Sequence, residues 1–201
     1  MDVYINRVEI KENAKSILNG KWMVPVLTTL LLFIVNNGMS NFLEHKYVAG
    51  SLLSFLIGGP LSLGVASFYL NFKRTGSPIF EDIVSGFRYL LKAFCLMFVT
   101  SIFIFLWSLL FIIPGIIAGL RYSQVFFILA DNPELPIMEV IRRSSDMMNG
   151  YKFDFFILEL SFIGWSLLSV LTFGIGFLFL VPYIYVCEAI FYDHLRSSNL
   201  Y

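Results

Sequence analysis

The sequence predicts an all-α membrane protein with six transmembrane helices arranged as three hairpins, each preceded by an amphipathic cytoplasmic interfacial helix. Three observations lead there: the composition, the length of the apolar runs and the placement of the cations. Apolar types make up 58% of the 201 residues, the DEKR set only 14%, and the mean hydropathy is +0.78. A soluble domain carries roughly 25% charged residues, so this chain has too little polar surface for water. Its 22 Phe argue against disorder, and 14 Lys plus Arg against 14 Asp plus Glu leave no excess charge for nucleic acid. The composition therefore excludes a soluble enzyme, a secreted disulfide scaffold and a nucleic-acid binder, and leaves one polytopic membrane domain over residues 1–201.

Backbone in hydrocarbon must satisfy its own hydrogen bonds, so apolar runs here read as helices. Roughly 20 apolar residues make one crossing. The first run goes from Trp22 to about Val35, extending toward Phe42 past the polar Asn36-Asn37-Gly38 break. The second covers Val48 to Leu70 and is interrupted by Gly58-Gly59-Pro60. The third is Ala93 to Ile113; Pro114-Gly115 then reverses the chain and the fourth continues from Ile116 to Ala130. That fourth run has only about 15 residues and contains Arg121, so it is a full tilted span or part of a re-entrant hairpin. A full crossing fits better, because the polar residues return on the side they left. The fifth run is Phe155 to Leu171 and the sixth Ile175 to Tyr192, with Thr172-Phe173-Gly174 between them.

Cations stay on the cytoplasmic side of a membrane protein. Twelve of the 14 Lys and Arg, from Arg7 through Lys73, Arg74, Arg142 and Arg143 to Arg196, lie in the tails or in the loops after spans two and four. The opposite loops contribute Lys46 alone. Both termini are therefore predicted inside. The stretch from Met1 to Gly20 alternates acids and bases without an apolar core, so it reads as retained rather than cleaved.

The inner-face segments carry patterns of their own. Ile10, Ala14, Ile17 and Leu18 share one helical face, with Lys11, Glu12 and Lys15 opposite. Ile79, Phe80, Ile83, Val84, Phe87, Leu90 and Leu91 repeat at helical spacing before span three, with Ser77-Pro78 as N-cap and first helical residue. A third stripe, Ile137, Met138, Ile141, Ser144 and Met148, precedes span five. Each predicts a helix lying at the interface. Asn19-Gly20 and Asn149-Gly150 close the first and third of them, glycine taking the left-handed conformation that ends a helix. Trp107-Ser108-Leu109-Leu110 recurs as Trp165-Ser166-Leu167-Leu168, and Tyr122 to Asp131 echoes Tyr183 to Asp193. These echoes suggest repeat-like units of approximately 5–71, 77–131 and 136–194.

Ionisable groups inside apolar spans are costly and are the natural functional candidates. Glu159 lies five residues inside span five and Glu188 five residues before Asp193. As hairpin neighbours the two carboxylates can face each other, which suits proton coupling or cation binding. The plain alternative is that each reaches water or a cation at the inner face. Arg121, nearer the outer face and away from both glutamates, snorkels along its stem, makes a structural hydrogen bond to carbonyls, or binds a lipid phosphate or anionic ligand. Pro60, Pro114, Gly115 and Pro182 are structural turns and kinks, and Gly115 with Gly119 allows close helix approach. Tyr183, Tyr185, Tyr192, Trp22, Trp107 and Trp165 fall near span ends or hairpin turns, where an aromatic belt explains some of them. Cys95 and Cys187 sit in apolar runs as small hydrophobes. No catalytic, cofactor or metal set emerges: no glycine-rich phosphate cradle is present, and His45 and His194 stand apart from any metal spacing.

Taken together these features resemble the domain-of-unknown-function 975 family. The residues that carry the likeness are Ala14-Lys15 to Trp22, Phe80-Glu81-Asp82 to Gly86-Phe87, and Leu106-Trp107-Ser108-Leu109-Leu110 to Ile113-Pro114-Gly115-Ile116. Ser145 to Met148 with Gly150, Phe162-Ile163-Gly164-Trp165, and Pro182-Tyr183 to Phe191-Tyr192 complete it. The resemblance implies a six-span bacterial plasma-membrane protein. A distant similarity to membrane domains attached to some glycerophosphodiester phosphodiesterases carries no catalytic residue over. The expected role is a non-enzymatic membrane-organising, protective or accessory protein, with membrane lipids, another membrane protein or itself as partner and no cofactor. The alternative is a small-solute or ion transporter using Glu159 and Glu188, and a third is an enzyme on lipid headgroups.

Overall fold

The computed structural model describes the backbone of residues 6–42 and 47–198 and the side chains of 6–34 and 55–198; His45 and Lys46, read as outer-loop residues, lie outside them. Every element among the described residues is helical. Asn6 caps α1 (Arg7–Leu18) by accepting the Val8 N–H at 3.1 Å. Ile10, Ala14 and Leu18, four residues apart on one face, are buried, and the helix packs on the last helix of the chain. Gly20 ends the segment at φ 72°, and Gly150 does the same at φ 89° after the helix that ends at Met147, both as expected. The chain then turns by 97° into α2 (Met23–Phe42), whose backbone is helical through Asn36-Asn37-Gly38.

α3 (Tyr47–Thr75) runs unbroken through Gly58-Gly59-Pro60, where the sequence suggested an interruption. These residues serve close packing instead. A Cβ on Gly64 would stand 1.9 Å from the Ile83 carbonyl oxygen, and one on Gly86 would stand 2.1 Å from that of Pro60. The facing segment is α4 (Glu81–Ser85) with a 3₁₀ turn (Gly86–Tyr89), which leads straight into α5 (Leu90–Leu110). The helix starts at Glu81 and not at Ser77-Pro78, which lie outside any helix. Of its apolar stripe only Ile83 turns inward, while Ile79, Phe80 and Val84 stay exposed. Glu81–Leu110 forms one 30-residue segment, about 45 Å at helical rise and longer than the roughly 30 Å of hydrocarbon.

The reversal after α5 falls on Phe111, which is extended (φ −161°, ψ 158°), so α6 (Ile112–Arg121) begins before Pro114. Pro114 sits in the first turn of α6, where its missing N–H costs nothing. Gly115 is the close-approach residue: a Cβ there would lie 2.2 Å from Ser108 Oγ, whereas Gly119 faces open space. After a break at Tyr122–Gln124 the same run continues as α7 (Val125–Asp131). Next comes α8 (Ile137–Met147), which buries Val140, Ile141 and Ser144 but leaves Met138 outside. The fifth run is likewise split, into α9 (Lys152–Leu160) and α10 (Ile163–Leu171). Phe173 (φ 54°) and Gly174 (φ 87°) make the last turn, and α11 (Phe177–Ser198) continues through Pro182 without interruption.

Among the described residues five segments are long and apolar enough to cross a membrane, or six if α1 and α2 count as one bent span. α3, α7 and α11 make the centre. Tyr69 of α3 stacks on Tyr185 of α11 with ring centroids 5.1 Å apart, and Phe127 of α7 on Tyr192 of α11 at 5.5 Å. Phe68, Phe72, Val186, Ala189 and Phe191 are buried between them. α5 and α10 stay at the perimeter with Phe105, Leu109, Leu167 and Val170 exposed. An apolar exterior around an apolar interior is what hydrocarbon, and not water, permits.

Candidate functional site

The best-ordered polar assembly joins the ends of three central helices. Arg74, at the end of α3, donates from Nη1 to Asp131 Oδ1 (2.5 Å) and from Nη2 to Asp131 Oδ2 (2.9 Å). The same guanidinium reaches Asp193 of α11 through Nη2 (2.6 Å) and Nε (3.3 Å). Lys73 Nζ pairs with Asp193 at 2.5 Å, Arg196 with Asp131 at 3.2 Å, and the Tyr192 hydroxyl donates to Asp131 at 2.9 Å. The planar fork of arginine suits two carboxylates at once, and such charge-assisted bonds are stronger than neutral ones. Burial adds to this, because the Asp131 side chain is only 9% exposed and Asp193 15%. Clefts of about 480 and 470 Å³ flank the junction, one beside Lys73, Asp193 and His194, the other beside Arg143, Asp146 and Arg196.

From the sequence, Lys73, Arg74 and Arg196 were read only as inner-face cations. Their pairing was missed because the partners stand 57 and 119 residues from Arg74. The one available signal was the pair of Asp residues closing the two echoed stretches. With both carboxylates occupied by cations, the assembly acts chemically as a clasp and leaves no free base.

Glu159 lies on α9 and Glu188 on α11; Glu159 is within electrostatic reach of the Glu188 carboxylate, and both lie within reach of Cys187 and Tyr185. Oε1 of Glu159 is buried without a hydrogen-bond partner among the described residues. Glu188 is mostly buried next to the Tyr69–Tyr185 stack. Neither forms an ion pair among the described residues.

Arg121 is separate from the glutamates. Its carbonyl accepts from Ser144 Oγ at 2.8 Å, which ties α6 to α8, while its side chain turns back along α6 to a pocket of about 230 Å³ lined by Trp107 and Pro114. Long helical side chains point toward the N-terminus of their helix, and Arg121 Nε is buried without a hydrogen-bond partner among the described residues. Several aromatic residues at span ends turn out to be internal. The Tyr183 hydroxyl donates to the Lys11 carbonyl at 3.3 Å, and Trp22 meets Phe179 with centroids 6.1 Å apart. Cys95 and Cys187 are free thiols. Among the described residues no three His, Cys, Asp or Glu side chains gather as a metal ion would need.

Long apolar helices around a clasped polar junction define a helical protein with several segments long and apolar enough to cross a membrane. More particularly, the chain belongs to the DUF975 family, described as a protein of unknown function, whose model matches residues 1–118 and 109–199. No curated protein and no solved structure matches the chain.

Proposed function

We propose that this is a non-enzymatic integral membrane protein that organises, protects or assists another membrane component. The observation that carries this reading is the use of its strongest charges: Lys73, Arg74, Asp131, Asp193 and Arg196 pair with one another at the helix ends and leave a wide apolar perimeter for lipid or a neighbouring helix. The proposed setting is a bacterial plasma membrane, with six crossings, both termini cytoplasmic, and membrane lipids, another membrane protein or a second copy as partner. Support for repeat-like units comes from packing: Ser169 meets Gly176 as Ser108 meets Gly115, and Tyr183 stands at the same offset from Ser169 as Tyr122 from Ser108. The Trp-Ser-Leu-Leu echo is out of that register. Deleting the gene should weaken tolerance to envelope stress, and the purified protein should carry a defined lipid or partner. Unchanged tolerance together with nothing co-purifying would remove the proposal.

A second reading, an ion or small-solute transporter, is favoured by the unpartnered Glu159 oxygen beside Glu188. It predicts flux in proteoliposomes that Glu159→Gln or Glu188→Gln abolishes. Flux equal to that of empty vesicles eliminates it.

A further inference from the structure

A groove of about 540 Å³ runs between α1, the start of α2, and the α10–α11 hairpin. That volume lies within the range of sites that hold small organic ligands, roughly 300–1,000 Å³. Its walls change character along their length. Lys11 and Lys15 stand on the α1 side, one turn apart on one helix. Trp22, Trp165, Leu168 and Phe179 make the remainder mostly apolar, with Ser169 and Thr172 among them, and no carboxylate among the described residues lines it. Neither lysine forms an ion pair among the described residues. Lys11 Nζ is instead held 4.9 Å from the centroid of the Phe162 ring, a cation–π contact that keeps the ammonium at the groove. Packing fixes the α1 side of the groove, since Ile10, Ala14 and Leu18 are buried and the Tyr183 hydroxyl binds the Lys11 carbonyl. Beside the groove, exposed Leu167, Val170 and Leu171 carry an apolar surface along α10.

We propose that this groove is a binding site for one anionic phospholipid, its phosphate between Lys11 and Lys15 and an acyl chain along Trp22, Trp165, Leu168 and Phe179. Charge complementarity selects the occupant: two unpaired cations at one end require an anion, and the apolar remainder requires a chain attached to it. Anionic headgroups attract lysines at a membrane surface. The site deepens the proposed membrane-organising role and rests on that reading's placement of the chain in a bilayer.

The test uses the full chain, purified and delipidated, with phosphatidylglycerol or phosphatidylcholine added and bound lipid counted by native mass spectrometry. Phosphatidylglycerol should bind more tightly, and Lys11→Gln with Lys15→Gln should weaken it roughly 10- to 30-fold, the worth of two surface charges, leaving phosphatidylcholine unchanged. Equal binding of the two lipids by the wild type overturns the proposal, as does a double variant that keeps its preference. So does a second copy or a peptide found in the groove in place of lipid. Should the double variant fail to fold, Trp107→Phe keeps the groove intact and leaves Trp22 and Trp165 as reporters. Phosphatidylglycerol with brominated chains must then quench their fluorescence more than brominated phosphatidylcholine does, and equal quenching overturns the site. Selective binding in a strain whose deletion leaves stress tolerance unchanged would keep the site and discard the organising role; the reverse pattern would discard the site alone.

Discussion

Arg74 engages Asp131 and Asp193 together, so its removal leaves both short of a partner in a part-buried place. Hydrogen bonds to charged groups are each worth about 1.5–3 kcal/mol. Arg74→Met should therefore lower stability by about 2–3 kcal/mol in a detergent unfolding titration. Arg74→Lys should recover only part of that, because an ammonium cannot present a planar fork to two carboxylates. A wild-type midpoint for Arg74→Met would show that the clasp is incidental. A milder case is Glu139 on α8, paired with Arg142 at 2.8 Å and Arg143 at 3.0 Å. The Arg142 hydrogen bond is the largest influence holding its carboxyl below the ordinary glutamate range. A depressed carboxylate adds stability above its unfolded pKa and loses it as pH falls through the folded one. The window is thus acidic and the gain small, since exposed ion pairs contribute little. A carbon-13 titration should find Glu139 low in the wild type and ordinary in Arg142→Gln with Arg143→Gln.

For the helices, packing of small residues decides what a mutation does. Gly64 and Gly86 let α3 and the α4 segment meet backbone to backbone, and helix association within lipid depends on such contact. Gly64→Ala or Gly86→Ala should cost about 1–3 kcal/mol through overpacking. Gly119 faces open space, so Gly119→Ala should be neutral or stabilising by up to about 1 kcal/mol, from helix propensity alone. Thermal unfolding of the three variants in one detergent separates the cases; an equal loss in all three contradicts the packing account. The apolar runs made most helices legible, because a hydrocarbon solvent demands them. Asn19-Gly20 and Asn149-Gly150 marked helix ends for an equally local reason, the left-handed residue. Local pattern failed where a residue had two uses. Pro114-Gly115 looks like a turn, yet Phe111 turns the chain and Gly115 receives Ser108. Gly58-Gly59-Pro60 looks like a break, yet α3 continues through it.

For the whole molecule, the proposed topology puts the clasp and α8 on the side of the two chain ends. Cysteines introduced one at a time at Lys21, Arg142 and Ser198 should react with a membrane-impermeant maleimide only after the inner face is opened. Labelling of Arg142→Cys from the opposite side to Ser198→Cys contradicts three hairpins. α3, α7 and α11 occupy the centre because their aromatic faces stack on one another, leaving α5 and α10 to meet the surroundings.

Composition and run length by themselves determined the helical class and the approximate bounds of most of the apolar helices, since a long apolar run satisfies its backbone most readily as a helix. Order along the chain also raised the expectation that Glu159 and Glu188 face each other, because a hairpin makes neighbours of successive spans. Only tertiary structure decided that Arg74 would find Asp131 and Asp193, and that Lys11 and Lys15 would stand over an apolar groove. Those meetings join residues far apart in sequence, and no local free energy records them until the helices have packed.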